Sequence, residues 1–197
     1  MTRPKNSDIK TDRIRAYFVD AAKTIILRDG AEGVTVRGVA ELAGYSYATI
    51  YNYFADLDRL LQATKDAMIQ DMMAYMEGAD DATAHGVEAI KRLNRKYARY
   101  FVEHPHVFHF FYAYRAKNGA EPDRQPYNFE ASWQSCYQEL VDDGVIRQED
   151  VMIVARTVIY ALQGLLSLYF SDNGLTREML FSELDAVTDY IIGGQGV

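Results

Sequence analysis

The sequence predicts an all-α chain in two parts: an N-terminal three-helix domain containing a helix-turn-helix (residues 1–55), and a C-terminal helical domain (residues 56–197). Three observations predict it. Apolar residues recur at three-and-four spacing in segment after segment, as one buried helical face requires. Thr35 to Phe54 reads as two short helices hinged at Gly44. Residues 151–170 carry a single charge, Arg156, and an amphipathic helix follows closely.

The first helix is expected over about Thr11 to Asp29, where Ile14, Phe18, Ala21 and Ile25 follow 4-3-4 spacing and Gly30 closes the helix. Residues 1–10 are polar and expected to lie outside it. In the second helix, Val36, Val39, Ala40 and Ala43 share one inward face. Gly44 can adopt the left-handed conformation that ends it, and Ser46 is a preferred N-cap for the third. That third helix sends only Ile50 and Phe54 inward. Tyr47, Ala48, Thr49, Tyr51, Asn52 and Tyr53 are left mostly outside. A short helix exposing so many hydroxyls and rings is built to bind something. A helix-turn-helix sets such a helix in the DNA major groove.

The ordered run Thr35, Arg37, Ala40, Ala43, Gly44, Ser46, Thr49, Tyr51, Tyr53 and Phe54 resembles the DNA-binding domain of the tetracycline-repressor (TetR) family of transcriptional regulators. The upstream Ala21-Ala22 and Asp29-Gly30 fit as well, so the resemblance is close over residues 12 to 65 and architectural beyond. It implies a homodimeric, ligand-responsive regulator, usually a repressor, that binds a palindromic double-stranded DNA operator. Tyr47 and Asn52 are then expected at base edges, and Thr35, Thr49, Tyr51 and Tyr53 at phosphates, with Arg37 serving either role. Two positions depart from the family pattern. Ala48 stands where Gly or Pro is common, which a helix tolerates. Leu57 replaces the Lys that usually meets a phosphate, so that contact is lost.

The overall net charge of −7 is unevenly distributed. Residues 1–60 hold 9 Lys/Arg against 8 Asp/Glu, net +1, and residues 61–197 hold 12 against 20, net −8. A charge of +1 is weak for meeting phosphates, so DNA affinity should lean on dimerisation and on hydroxyl and backbone contacts. The single Cys136 excludes an intramolecular disulfide and suits a reducing cytoplasm. The N-terminus has no apolar run, so no signal peptide is expected there.

Beyond the helix-turn-helix, Asp56 can cap a fourth helix whose stripe Leu57, Leu61, Thr64, Met68, Met72 and Tyr75 runs to Gly78. Helices are expected over His85–Glu103, ended by Pro105, and over a short aromatic segment, Val107–Arg115. Lys117–Pro126 reads as the clearest break in the chain. Three further helices are expected over Asn128–Asp143, Gln148–Phe170 and Thr176–Ile192. Val151–Phe170 is long enough to span a membrane, but Thr157, Gln163 and Ser167 favour a helix buried on two sides.

Tyrosine-rich aromatic residues crowd residues 97–137, as in an apolar ligand pocket with a few polar groups. The expected lining is Tyr97, Phe101, Phe108, Phe111, Tyr112, Trp133 and Tyr137, joined by Tyr160 and Gln163. The domain's negative charge favours a small apolar, neutral or cationic ligand. Dimerisation is expected through the last two helices. Ala161, Gly164 and Ser167 allow close approach, and Leu180, Leu184, Val187 and Ile191 form a 4-3-4 stripe. His104, His106 and His109 are divided by Pro105 and have no nearby Cys or Glu at metal spacing, so they read as a helix start beside an aromatic core. No Gly-rich phosphate loop, nucleophile elbow or His-Glu-x-x-His motif is present, and no cofactor or catalytic role is expected. The alternative function is a DNA-binding regulator without a small-molecule pocket, constitutive or controlled by a protein partner.

Overall fold

The computed structural model describes residues 6–78, 84–115 and 129–193, with side chains over 10–78, 84–115 and 136–193. The helices are α1 (Asn6–Asp29), α2 (Val36–Ala43), α3 (Tyr47–Ile50), α4 (Leu57–Glu77), α5 (Gly86–Glu103), α6 (Pro105–Tyr112), α7 (Phe129–Asp142), α8 (Val151–Phe170) and α9 (Arg177–Gly193). Single-turn 3-10 helices at Ala31–Gly33 and Gln148–Asp150 precede α2 and α8. Among the described residues there is no strand. The break expected over residues 117–126 lies outside the described residues.

These elements form two compact units. The first holds α1 to α4 and α6. Its core is Phe18, Ala22 and Ile26 of α1 with Val39, Ala40, Ile50, Phe54, Leu60 and Val107, all buried. Gly44 does take the left-handed conformation (φ 77°, ψ 28°), and the amide of Tyr45 donates back to the Ala40 carbonyl to close α2. Asp56 caps α4 by accepting from the Arg59 amide at 2.8 Å.

One expectation needs correction here. Residues 6–10 are helical, because α1 starts at Asn6. The first compact unit also takes in residues 56–75, most of α4. Lys23 of α1 pairs with Asp71 of α4 at 2.5 Å, and the Lys65 ammonium donates to the Phe111 carbonyl at the end of α6 at 2.8 Å. α6 itself packs on α1. Burial draws the Lys65 pKa down, with Asp66 acting in the opposite direction.

The second unit holds α5, α7, α8 and α9. α5 and α9 are joined by Lys91–Asp189 at 2.6 Å, by Arg95–Asp185, and by the buried Asn94 amide donating to Thr188 Oγ1 at 3.2 Å. Glu139 of α7 accepts from the Gly86 amide at 3.0 Å and meets His85 Nδ1 at 2.8 Å, capping α5. The Gly86 amide bond, with the His85 contact, holds the Glu139 carboxyl below its usual range. Leu162 and Leu166 of α8 and Leu180, Leu184 and Ile192 of α9 fill the core between them.

α8 is the one candidate membrane span by length and hydropathy among the described residues. Its Val154, Val158, Leu162 and Leu166 stripe packs inward, as in the core helix of a bundle.

Candidate nucleic-acid interface

α3 is shorter than the sequence suggested. Only Tyr47–Ile50 is α-helical, and Tyr51, Asn52 and Tyr53 continue as a turn. In that turn the Asn52 and Tyr53 amides donate three residues back, to Thr49 and Ile50. Four helical residues cannot sustain a helix by local hydrogen bonding, so packing against α1 must hold the segment in place.

α1 holds both of its ends. Tyr45, just before α3, tilts onto Phe18 with ring centroids 5.2 Å apart and stacks on Tyr17 at 6.4 Å. Tyr53, just after it, packs on the same Phe18 at 5.8 Å. Ile50 and Phe54 are buried, as their spacing implied.

The outward face is then determined. Tyr47 and Tyr51 remain about half exposed, with their rings edge to face at 5.5 Å. Hydrogen bonding to Tyr47, with some desolvation, raises the pKa of the Tyr51 hydroxyl. The Tyr51 hydroxyl therefore stays protonated at neutral pH. Asn52 is exposed, while Tyr53 is half-buried with its ring committed to Phe18. Ser46 sits at the N-cap position, but its hydroxyl meets the Thr49 hydroxyl at 2.7 Å and forms no cap to the backbone.

The expected cap is made one helix earlier. The Thr35 hydroxyl accepts from the Gly38 amide at 3.0 Å, fixing the start of α2. Its hydroxyl proton stays available, and the first-turn amides of α2 favour an anion. Arg37 is exposed beside them. Thr35, Arg37, Ser46, Tyr47, Tyr51 and Asn52 thus lie on the exposed surface of the first unit, with Thr49 and Tyr53 half-buried among them.

Sequence reasoning overlooked Arg15 of α1, which donates to the Tyr53 carbonyl and stacks over the Phe54 ring with its guanidinium carbon 4.2 Å from the centroid. An arginine on an amphipathic helix carries no local mark of such a role, and its partners lie about forty residues away.

Residues 18–64 match the family described as bacterial regulatory proteins, tetR family. Over these residues the chain carries a tetR-family DNA-binding domain.

The nicotine-responsive transcriptional repressor HdnoR of Paenarthrobacter nicotinovorans is 33% identical over 85 residues, covering 40% of this chain and 44% of that protein. The transcriptional regulator BetI of Burkholderia thailandensis is 32% identical over 84 residues, covering 41% and 43%. The chain thus spans less than half the length of these curated relatives.

Over the whole fold, the crystal structure of RolR in complex with resorcinol superposes with a TM-score of 0.70 at 18% identity, covering 94% of this chain and 90% of that one. A TetR-family transcriptional regulator from Mesorhizobium loti does so at 0.68 and 20%, covering 95% and 99%. These two likenesses concern the fold. Together with the family match, they give an all-helical fold that carries a tetR-type helix-turn-helix domain over residues 18–64.

The expected pocket residues are divided between the two units. Tyr97, Phe101, Tyr137 and Gln163 are in the second unit. Phe108, Phe111 and Tyr112 belong to α6 and hence to the first. Tyr160 is 68% exposed on α8 and lines no interior of the protomer. Trp133 lies on α7, but its side chain is outside those described.

In the second unit, Gln163 Nε2 donates to the Tyr97 hydroxyl at 2.9 Å, and Tyr97 meets the Phe101 ring edge to face at 5.0 Å. Tyr137 is wholly buried, its hydroxyl has no hydrogen-bond partner among the described residues, and burial pushes its pKa far above the ordinary phenol range.

The interface residues also divide. Leu180 and Leu184 are fully buried in the protomer's own core, so they offer no surface to a second copy. Val187, Ile191 and Ala161 are half-buried, and Gly164 and Ser167 are exposed. The free apolar surface of these helices is instead Ile153, Tyr160 and Leu168 on α8 and Met179 and Tyr190 on α9.

The three histidines are spread along α6. His104 is at its N-cap, His106 Nδ1 lies 3.3 Å from where a Cβ on Gly30 would stand, and His109 faces Glu32 at 3.5 Å. Among the described residues no His, Cys, Asp or Glu cluster is placed to hold a metal.

Replacing Asn52 by Ala tests base reading directly. Asn can pair bidentately with adenine, which is worth about 1–3 kcal/mol of discrimination. At fixed salt, affinity for a duplex selected from a random pool should fall by that amount while affinity for a scrambled duplex holds. Equal weakening on both would make Asn52 a positioning contact only.

Proposed function

We propose that this regulator is a homodimer that binds a palindromic operator through the α2–α3 surface and releases it when a small molecule enters the second unit. The observation that carries the ligand half is the Tyr137 hydroxyl, buried with no partner among the described residues. Leaving a buried hydroxyl unsatisfied costs about 1–3 kcal/mol, a cost that a ligand's polar group would relieve. Tyr97, Phe101 and Gln163 supply rings and polar groups in the same unit, the usual mix in a small-molecule site.

The ligand class follows from these groups: a small aromatic or cationic molecule with one or two hydrogen-bonding atoms. Two similar proteins are described with nicotine and with resorcinol, both small aromatic molecules with polar atoms. The dimer half rests on the exposed apolar face of α8 and α9. A two-fold pair of such faces would bury that surface, and the symmetry would match a palindrome's half-sites. The ligand acts only through unequal affinity for the DNA-competent and DNA-incompetent states, typically about 1–3 kcal/mol of coupling. α4 runs unbroken from the reading domain to the chain segment entering the second unit, which makes it the natural lever.

Trp133 is the only tryptophan, so its emission reports on α7. A panel of nicotine, resorcinol and related aromatic amines and phenols should contain compounds that both change this emission and release the selected duplex. If compounds bind without releasing DNA, or none binds, control passes to a protein partner or is absent.

A further inference from the structure

We infer that Arg15 is a positioning residue for the DNA-reading segment, acting as the clamp that sets the pitch of α3 and its following turn. This deepens the DNA-reading role of that surface and rests on it.

The need arises from the shortness of α3. Its four helical residues are followed by Tyr51, Asn52 and Tyr53 in a turn. That turn carries Tyr51 and Asn52 outward while Tyr53 and Phe54 face α1. The carbonyls at the end of such a segment have no following helical turn to bond them.

Arg15 meets this end twice: its terminal nitrogen donates to the Tyr53 carbonyl, and its guanidinium plane lies over the Phe54 ring at 4.2 Å. The neighbouring α1 residue Phe18, three positions along, holds Tyr53 at 5.8 Å and Tyr45 at 5.2 Å. One face of α1 therefore grips the reading segment before and after its helical turn. Arg15 supplies the only polar part of that grip among the described contacts.

A guanidinium can do both jobs because it is planar, with donors in its plane and a face free to stack. A lysine keeps the charge but provides neither plane nor fork. Arg15→Lys is thus the discriminating variant, since long-range attraction to phosphates is retained.

The full-length protein and its Arg15→Lys and Arg15→Met variants should be titrated against the selected duplex and a scrambled duplex over a range of salt. Amide exchange should be followed in parallel. Selective binding by the unaltered protein is the control for the DNA-reading role itself; without it that role fails, independently of Arg15.

With the control intact, Arg15→Lys is expected to weaken selected-duplex binding by about tenfold while scrambled-duplex binding changes less than about twofold. The salt slope should stay unchanged. Amides of Asn52, Tyr53 and Phe54 should exchange faster, and those of α1 and α2 should not. Arg15→Met should match Arg15→Lys if it folds. If it does not, Arg15→Lys alone decides.

Two results overturn the proposal. Equal weakening on both duplexes with a salt slope reduced by about one would make Arg15 a phosphate contact. Unchanged binding and exchange in Arg15→Lys would leave it no role in reading.

Discussion

Gly164→Arg is expected to convert the protein to a monomer and to lower operator affinity by about 10²–10⁴-fold, the factor that linking two binding modules typically confers. Gly164 is exposed on α8, and a Cβ built there meets nothing within 4 Å. The protomer can therefore carry the larger side chain without internal strain. Around Gly164, Ile153, Tyr160, Ser167 and Leu168 form the outward face of α8, and Met179 and Tyr190 that of α9. A small residue at the centre lets two backbones approach closely. An arginine there would have to be desolvated against its own symmetry copy, placing like charges together. Sedimentation and DNA titration check the two effects in the same samples. Operator binding that survives in a demonstrated monomer would break the link between symmetry and half-sites, and an intact dimer would move the interface elsewhere.

Tyr137→Phe should raise stability and weaken the ligand response together. The hydroxyl is buried without a partner among the described residues, so removing it deletes a desolvation cost of about 1–3 kcal/mol and leaves the ring's packing intact. In a chain of this length, 1 kcal/mol raises the melting temperature by about 2–4 °C. The same hydroxyl is the proposed anchor for the ligand, and losing a hydrogen bond to it should lower ligand affinity by about tenfold. Thermal unfolding with and without a releasing compound measures both. A destabilised Phe variant would mean the hydroxyl has a partner in the native state. A stabilised variant with an undiminished response would remove Tyr137 from the ligand site but leave the packing argument standing.

The features legible in the sequence are those that one residue or its near neighbours decide. Gly44 ends α2 because a left-handed turn favours a residue without a side chain, and Pro105 stops α5 because the residue before proline resists the helical region. Ile50 and Phe54, four apart, had to share an inward face. With them, the outward rings of Tyr47 and Tyr51 were readable as a binding surface, and the motif that carries them matches the tetR DNA-binding domain.

Tertiary structure alone decided what covers each apolar stripe. Residues 180 to 191 carry a helical apolar pattern that reads equally well as core or as interface. Packing against α5 and α8 sends Leu180 and Leu184 inward and leaves Met179 and Tyr190 free. Tyr160 likewise lies one helical face away from the interior it was expected to line. α6 follows α5 in sequence yet returns to α1, which carried Phe108, Phe111 and Tyr112 into the first unit. Arg15 meets Tyr53 across thirty-eight positions. Periodicity records that a face must be covered, but the covering partner is chosen by long-range packing, which leaves no mark in the local pattern of residues.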